Sequence, residues 1–297
     1  MTLILTPAPA CGSVRDTDVN IDTALGLCPS LGVGGAQPLG AVLRNQSRAI
    51  SPFILAVDST SSTNDLARRY AEQGAPHGSL FLAHAQTHGR GRFGRSWESG
   101  AGGLYISMLL RHGLDGYQKQ LPLLPLAVSV AAVEAIEDVT KCPVTIRWPN
   151  DLYAGDQKLG GILCETSFSG DRLDLAVVGC GVNVNQARFG SDEVRARATS
   201  LFVLTQKRWD RLALAAALVD RLSFWCGACK DPSAMLNRWR ELAVGDHGQK
   251  IRVVRQNGDS FEAVSAGVEE DGGLSVRLPD GSRQVLYAED VRFARGV

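Results

Sequence analysis

The spacing of hydrophobic and polar positions divides the chain into three parts. In residues 1–50 apolar periodicity is weak and proline, glycine and alanine are frequent, which predicts a variable or poorly ordered N-terminal extension. Residues 51–243 alternate short apolar runs with helical periods, as in one large domain. Residues 244–297 contain short strands separated by Asn-Gly and Asp-Gly pairs, which predicts hairpins that close into a small β-barrel.

The middle part combines helices with strands that follow one another directly. The predicted strands Lys158–Glu165 and Arg172–Val178 are joined by a tight turn, and strands connected in this way pair antiparallel. Residues Leu121–Val139 are apolar on nearly every face, so we expect a helix that is buried against the sheet. These features predict an α+β fold with a mixed, largely antiparallel sheet packed against helices.

A run of small polar residues, Ser62-Thr63-Asn64, separates the predicted strand Phe53–Val57 from the predicted helix Asp65–Gln73. Side chains of this kind cap helices by hydrogen-bonding to exposed backbone N–H groups. The same N–H groups make a helix N-terminus suitable for a polar ligand. Capping alone, and capping combined with ligand binding, are both compatible with the sequence.

The stretch Gly89–Trp97 alternates glycine with arginine and ends in a tryptophan. Its glycines predict a flexible loop whose backbone can approach a ligand closely. Arg90, Arg92 and Arg95 add guanidinium groups that match carboxylate or phosphate oxygens. Two interpretations fit this loop, a cover over a small anionic ligand and a basic contact with nucleic acid.

The overall composition favours the small ligand. The chain contains 31 basic and 31 acidic residues, so it lacks the broad positive field of a protein that coats nucleic acid. Its apolar runs are too short to span a membrane, and its seven scattered cysteines suit a reducing compartment. We therefore expect a cytoplasmic protein with no membrane and no DNA partner.

A second polar group is predicted around a hairpin. Asn150 and Asp151 follow a short strand in a Pro-Asn-Asp turn, and Lys158 begins the next strand. The hairpin brings the lysine near the two polar side chains, which favours a phosphate or carboxylate partner. Gly160 and Gly161 follow in the same strand, where glycine often marks the close approach of a ligand.

Taken in order, these motifs resemble those of the biotin–protein ligases over roughly Phe53 to Arg292. The resemblance rests on the order and spacing of the motifs more than on any one of them. The matching elements are Ser62-Thr63-Asn64, Gly89–Trp97, Arg147–Asp151, Lys158–Glu165 and Gly179–Asn183. It implies a catalytic domain like that of class II synthetases and a C-terminal barrel of SH3-like type.

The resemblance also implies the chemistry. A biotin ligase forms biotinyl-5′-AMP from biotin and ATP with Mg²⁺, then transfers the biotinyl group to a lysine of a biotin carboxyl carrier domain. The catalytic residues implied are Arg92, Asp151 and Lys158, with Asp151 also the candidate for metal contact. The residues implied around biotin are Ser62, Thr63, Asn64, Gln86, Arg90, Gly91, Arg92, Lys158, Gly160 and Gly161. Those implied around ATP or the adenylate are Arg92, Arg95, Trp97, Asn150, Lys158 and Asn183.

Two further points bear on the type of ligase. Arg147 replaces the lysine that usually precedes Trp-Pro-Asn-Asp, which retains the charge but changes the hydrogen-bonding geometry. Residues 1–50 contain no basic recognition helix, so we expect a ligase without repressor activity. The resemblance implies a homodimer or a monomer–dimer equilibrium. The alternatives are a lipoate–protein ligase and a biotin-sensing regulator with little catalysis. The Gly-Arg loop and the small C-terminal barrel favour biotin.

Overall fold

The computed structural model describes residues 53–111, 121–227, 232–245, 247–255, 257–287 and 290–293. The predicted N-terminal extension, residues 1–50, lies outside this range. The described part contains two sheets and six α-helices. None of these helices is long and apolar enough to cross a membrane.

The larger sheet has seven strands in the order β1-β2-β3-β7-β6-β5-β4. The strands β1 and β2 pair parallel and every other pair is antiparallel, so the predicted mixed, largely antiparallel sheet is confirmed. Its strands are β1 (Ile54–Thr60), β2 (Leu80–Gln86), β3 (Leu104–Leu110), β4 (Thr145–Arg147), β5 (Asp151–Ala154), β6 (Gln157–Ser169) and β7 (Arg172–Val182).

Helices cover both faces of this sheet. They are α1 (Thr63–Glu72), α2 (Leu123–Thr140), α3 (Asp192–Arg195), α4 (Leu201–Thr205), α5 (Arg211–Gly227) and α6 (Ser233–Leu242). On one face, Leu66 and Tyr70 of α1 pack against Phe81 and Leu109 of the sheet. On the other face, α2 is buried between the sheet and α5, which explains why it is apolar nearly all round.

The start of α1 shows how the local sequence positions polar groups. Ser62 is the N-cap residue, and its hydroxyl accepts a hydrogen bond from the N–H of Asn64 at 3.2 Å. The helix therefore begins at Thr63, two residues before the predicted start, and Thr63 and Asn64 occupy its first turn. Both side chains point into the protein, since each is no more than 5% exposed.

The second sheet is antiparallel and has the strand order β11-β10-β9-β8-β12. Its strands are β8 (His247–Val254), β9 (Ser260–Val268), β10 (Leu274–Arg277), β11 (Arg283–Leu286) and β12 (Asp290–Phe293). The predicted α+β class with a small C-terminal β unit is thus confirmed. Trp148, next to the cis Trp148–Pro149 peptide, donates from Nε1 to the carbonyl of Gly272 at 3.1 Å and so connects the two sheets.

Several short elements were not predicted from the sequence. The short helices α3 and α4 lie in a stretch without clear periodicity, and both begin at a serine whose side chain caps the helix. The strand β12 pairs with β8 at the edge of the second sheet. Helix α3 matters most for function, because it lies beside the cavity described next.

Candidate functional site

A cavity of about 470 Å³ lies beside the N-terminal half of β6 and the C-terminal end of β7. Every residue predicted from the sequence to bind a ligand lines it, apart from Gly160. These residues are Ser62, Thr63, Asn64, Gln86, Arg90, Gly91, Arg92, Arg95, Trp97, Asn150, Asp151, Lys158, Gly161 and Asn183. The fold therefore brings five separate motifs to one site, while the contacts that each residue makes with a ligand remain predictions.

One side of the cavity, which we call the scaffold wall, consists of Thr63, Asn64 and Gln86 from α1 and β2, supported from behind by the buried Ser107 of β3. The Gln86 carboxamide oxygen accepts from the backbone N–H of Thr63 at 2.8 Å. Ser107 Oγ lies 2.7 Å from Thr63 Oγ1 and donates to Asn64 Oδ1 at 2.6 Å. Ser107 was not predicted as a site residue, because it is one polar position inside an apolar strand.

Asn64 links the scaffold wall to β6 and β7. Its Nδ2 group donates to the carbonyl of Leu163 at 3.2 Å and to Glu165 Oε2 at 2.7 Å. A Cβ atom at Gly179, the residue paired with Leu163, would lie 2.3 Å from Asn64 Oδ1. Glycine is therefore required at this position of β7, because any side chain there would clash with the carboxamide of Asn64.

The opposite side, which we call the loop wall, consists of residues 89–97 and 189–198. In the first segment, Trp97 N donates to the carbonyl of Gly89 at 2.8 Å, and Gly91 N donates to the carbonyl of Arg95 at 2.7 Å. The two strands of the loop thus pair with each other. A 3₁₀ turn forms its tip, where Phe93 has a positive φ of 59° and is 40% exposed.

Trp97 lies over the strands at the end of this loop. A Cβ atom at Gly181 would lie 3.0 Å from Trp97 Nε1, so the indole packs on bare backbone of β7. Within the described residues, this buried Nε1 has no hydrogen-bond partner. A buried donor without an acceptor is costly, so this indole is suited to a ligand that supplies one.

The predicted charged group assembles at the start of β6. Lys158 Nζ lies 2.6 Å from Asp151 Oδ1 and 5.4 Å from the centre of the Trp97 ring. Asn150 Nδ2 donates to the carbonyl of Ile162 at 2.6 Å, which fixes its side chain so that Oδ1 faces Arg92 Nη1 at 3.5 Å. The cavity therefore places two cations, Lys158 and Arg92, on either side of the Asn150-Asp151 turn.

The paired glycines of β6 have different roles. A Cβ atom at Gly161 would be 3.6 Å from both Asp151 Oδ1 and Lys158 Cε, so its bare face is directed into the cavity. A Cβ atom at Gly160 would instead lie 2.8 Å from the carbonyl of Gly181 and 3.0 Å from Leu152 Cδ1. Gly160 is buried within the sheet and does not line the cavity, in contrast to the expectation that both glycines face a ligand.

The second segment of the loop wall was missed from the sequence. Phe189, Glu193, Val194 and Arg197 line the cavity although their stretch shows no strong period. The segment is attached to β6 by backbone hydrogen bonds, since Lys158 N donates to the carbonyl of Arg197 at 2.7 Å. The signal that could have identified it is the proximity in sequence to the Gly179–Asn183 motif.

Asn183 holds this second segment in place. Its Nδ2 donates to the carbonyl of Thr199 at 2.9 Å, and its backbone carbonyl accepts from Leu201 N at 3.1 Å. The first segment is joined to the second by Glu98, whose carboxylate accepts from Gly190 N at 2.8 Å and from Ser191 N at 3.3 Å. The two parts of the loop wall are therefore connected to each other.

Two other titratable groups in the cavity are not nucleophiles at neutral pH. Burial raises the pKa of the Cys180 thiol to about 12, so it stays protonated. Burial also raises the pKa of Tyr105, whose hydroxyl donates to the carbonyl of Gly100 at 2.8 Å. The described residues contain no group of three or more His, Cys, Asp or Glu side chains that could hold a metal ion.

Comparison with known proteins identifies relatives of this chain. The sequence profile described as the Biotin/lipoate A/B protein ligase family matches residues 56–183. The chain is 30% identical over 254 residues to a bifunctional ligase/repressor BirA of Bacillus spizizenii, covering 84% of this chain and 76% of that protein. It is 31% identical over 247 residues to a biotin–[acetyl-CoA-carboxylase] ligase of Mycobacterium tuberculosis, covering 80% of this chain and 88% of that protein.

Solved structures of biotin protein ligases are also similar to this chain. A biotin protein ligase of Aquifex aeolicus in complex with biotin and ATP superposes with a TM-score of 0.70 at 28% sequence identity. The match covers 82% of this chain and 100% of that one. The similarity therefore spans both sheets and is not limited to the motifs that line the cavity.

Proposed function

The chain belongs to the biotin–protein ligase family, and on that premise we propose that its cavity joins biotin to ATP and then to a carrier protein. The observation that carries this proposal is the group formed by Lys158, Asp151 and Asn150 with Arg92, which reaches Asn150 from the Gly89–Trp97 loop. In the first step, a carboxylate oxygen of biotin attacks the α-phosphorus of ATP and pyrophosphate leaves. The product is the mixed anhydride biotinyl-5′-AMP.

Two anions must approach each other in this first step, and the cations of the cavity make that approach favourable. Lys158 stabilises the negative charge that develops on the α-phosphoryl oxygens, and Arg92 screens the carboxylate from the phosphate. The ion pair with Asp151 holds Lys158 Nζ in place before the nucleotide arrives, at 2.6 Å from Oδ1. Prepositioned charge of this kind is commonly the largest single contribution to catalysis.

The scaffold wall is suited to the uncharged end of biotin. Thr63, Asn64 and Gln86 present hydroxyl and amide groups whose orientation is fixed by hydrogen bonds to one another and to Ser107 behind them. A ureido group offers both donors and acceptors, so it complements such a surface. The bare face of Gly161 leaves room for a ring system against β6. The unpartnered Trp97 Nε1 is, on this proposal, a donor for the adenylate.

The loop wall protects the anhydride from water until the carrier arrives. In the second step, the ε-amine of the carrier lysine attacks the anhydride carbonyl carbon and AMP leaves. The carrier amine must lose a proton during this attack. On this proposal Lys158 marks the position of the phosphoryl group, and Asp151 lies beside it, so Asp151 is the candidate to accept that proton. Exclusion of water by an ordered loop prevents hydrolysis in the meantime.

A Mg²⁺ ion would enter with the nucleotide and neutralise phosphate charge. The donor set around the described part of the cavity fits an ion held mainly by phosphate oxygens, because carboxylates are not clustered there. Asp151 remains the candidate protein contact. The residues listed from the sequence for biotin and for the nucleotide are, on this proposal, the contacts of the two substrates, except Gly160, which does not line the cavity.

The partner that this chemistry requires is a carrier protein with an acceptor lysine, and the proposed carrier is the biotin carboxyl carrier domain of a carboxylase. The relative from M. tuberculosis is named for an acetyl-CoA-carboxylase acceptor, which supports this choice. We further propose a cytoplasmic ligase that does not bind DNA and that forms a homodimer at least part of the time. We also propose the domain limits 51–243 and 244–297.

The proposed function is tested by isotope exchange between pyrophosphate and ATP, with biotin or lipoate added in parallel. We expect exchange that depends on biotin and does not occur with lipoate. Exchange with lipoate alone would assign the protein to the sister activity. No exchange with either would refute adenylation and leave a biotin-sensing regulator, which a mobility shift on operator DNA would detect.

A further inference from the structure

Arg90, at the start of the Gly89–Trp97 loop, is held by two carboxylates outside the loop. Its Nη1 lies 2.7 Å from Asp65 Oδ2 and its Nη2 lies 2.5 Å from Asp65 Oδ1, which is the geometry of a two-point hydrogen bond. Its Nη2 also lies 3.5 Å from Glu165 Oε1. Arg90 therefore connects three elements of the fold, because Asp65 is in the first turn of α1 and Glu165 is in β6.

Each of the two carboxylates that hold Arg90 also has a further partner. Asp65 also accepts from Ser61 Oγ at 3.2 Å, and Glu165 also faces Arg68 Nη2 at 3.8 Å. The hydrogen bond from Arg90 lowers the pKa of Asp65, which keeps its carboxylate ionised at neutral pH. Because both terminal nitrogens of Arg90 are engaged by carboxylates, its guanidinium is oriented by α1 and β6 before any ligand is present.

The position of the Arg90 side chain constrains the position of the rest of the loop. Arg90 pairs with Ser96 in an isolated bridge, so the two strands of the loop are bound together directly beyond it. The loop then carries Arg92 towards Asn150 and Trp97 over Gly181, on the other side of the cavity. A contact at one end thus determines the position of groups that reach the reacting atoms.

We propose that Asp65 and Glu165 are positioning residues that hold the Gly89–Trp97 loop across the cavity through Arg90. The proposal rests on the proposed function, and it changes the predicted role of Arg90 from a ligand contact to a tether. The three side chains are between 22% and 40% exposed, so their contribution to global stability is small. Their effect is expected in how tightly the substrates and the intermediate are retained.

The main test compares Asp65→Asn, Glu165→Gln, Arg90→Gln and the double variant Asp65→Asn with Arg90→Gln. We expect Asp65→Asn to raise the KM for biotin about tenfold with little change in kcat, the scale of losing one charge-assisted hydrogen bond. Glu165→Gln should also raise the KM, and part of that rise comes from the scaffold wall, because Glu165 Oε2 also accepts from Asn64 Nδ2 at 2.7 Å. The matched control is Asp138→Asn, which removes a carboxylate 2.6 Å from Arg221 on helices away from the cavity.

The double variant separates a tether from a ligand contact. If Arg90 acts only through Asp65, the double variant should have the same KM as Arg90→Gln alone. Additive effects would mean that Arg90 binds the substrate directly, and a KM for Asp65→Asn equal to that of Asp138→Asn would mean that the contact is not used. Either result overturns the proposal.

A second measurement does not depend on the activity. Trypsin cleaves after arginine, and Arg92 and Arg95 lie in the loop, so cleavage there reports how often the loop opens. In ligand-free protein we expect cleavage about tenfold faster in Asp65→Asn than in Asp138→Asn, following the same lost hydrogen bond. Equal cleavage rates would refute the tether. Absence of biotin-dependent exchange in the unmodified protein would instead refute the proposed function.

Discussion

The scaffold wall and the loop wall enclose the same cavity but are built in different ways. Side chains of the scaffold wall project from a helix and two strands, and Thr63, Asn64 and Ser107 are each at most 5% exposed. The loop wall contains a 3₁₀ turn and a four-residue helix, neither of which buries a residue. The scaffold wall is thus part of the folding core, whereas the loop wall is fixed by a few hydrogen bonds and ion pairs.

This difference indicates that the two walls have different functions. Groups that must recognise a neutral ring can be oriented permanently, because their hydrogen bonds to one another already stabilise the fold. Groups that cover a reactive anhydride must admit substrates and release products, so their attachment has to be weaker than the global stability. Substitutions in the scaffold wall should therefore affect folding and binding together, and substitutions in the loop wall should affect retention and rate.

The largest effect is expected for Lys158→Ala, beneath the loop wall. Removing this cation should reduce biotin-dependent pyrophosphate exchange by about 10²- to 10³-fold, because positioned charge on a phosphoryl group is worth that much. Binding of biotin to the scaffold wall should change far less. The control is Lys207→Ala, an exposed lysine that packs on Trp209. A loss smaller than tenfold would show that Lys158 is not the main cation of the reaction.

The next effect concerns retention of the intermediate. Arg92→Ala should release biotinyl-5′-AMP about 10- to 100-fold faster, since a charge-assisted contact and part of the cover are lost together. Its melting temperature should change by less than about 2 °C, because Arg92 is only partly buried and lies outside the core. The measurement is the amount of adenylate that stays with the protein through gel filtration, with Arg172→Ala as the control. Unchanged synthesis and retention in Arg92→Ala would contradict the role given to the loop wall.

Alanine substitutions at the two adjacent glycines of β6 form a matched pair of variants, and their expected effects are smaller than those of Lys158→Ala and Arg92→Ala. Gly160→Ala places a Cβ atom 2.8 Å from the carbonyl of Gly181, so it should lower the free energy of unfolding by about 1–3 kcal/mol through overpacking. Gly161→Ala meets only contacts of 3.6 Å and longer, so the fold should tolerate it. Its methyl group would occupy the cavity and raise the KM for biotin. Denaturation in urea and steady-state kinetics on both variants measure the two effects.

Equal effects of the two substitutions on stability would mean that both glycines serve the sheet. Equal effects on biotin binding would instead support the sequence-based expectation that both face the ligand. The structure favours neither of these outcomes, because successive residues of a strand point to opposite faces.

The glycine pair also shows what the sequence could and could not predict. Hydrophobic periods located the strands and helices, and the order of the motifs located the cavity residues. The sequence did not indicate which of two adjacent glycines faces the cavity, because that depends on the register between β6 and its neighbours. The same limitation applies to Arg90, whose pairing with Asp65 and Glu165 depends on three elements meeting in space.

The segment 189–198 was missed for a different physical reason. Its helix α3 is only four residues long and buries none of them, so it leaves no hydrophobic period to detect. Its position is set by backbone contacts, such as the donation from Lys158 N to the carbonyl of Arg197, which any side chain would permit. Ser107 was missed because its partners, Thr63 and Asn64, are more than forty positions away in the sequence.

The smallest expected effect concerns Ser107 itself, and it tests whether the scaffold wall belongs to the folding core. Ser107→Ala leaves Asn64 Oδ1 without the hydroxyl that now lies 2.6 Å away, inside a fully buried site. The free energy of unfolding should fall by about 1–2 kcal/mol, the cost of an unsatisfied buried acceptor, and the KM for biotin should rise several-fold with it. Ser129→Ala is the matched control, because Ser129 is equally buried and its hydroxyl, within the described residues, donates to the carbonyl of Pro125 in its own helix. If Ser107→Ala were no more destabilising than Ser129→Ala, the scaffold wall would be as weakly coupled to folding as the loop wall, and the contrast between the two would fail.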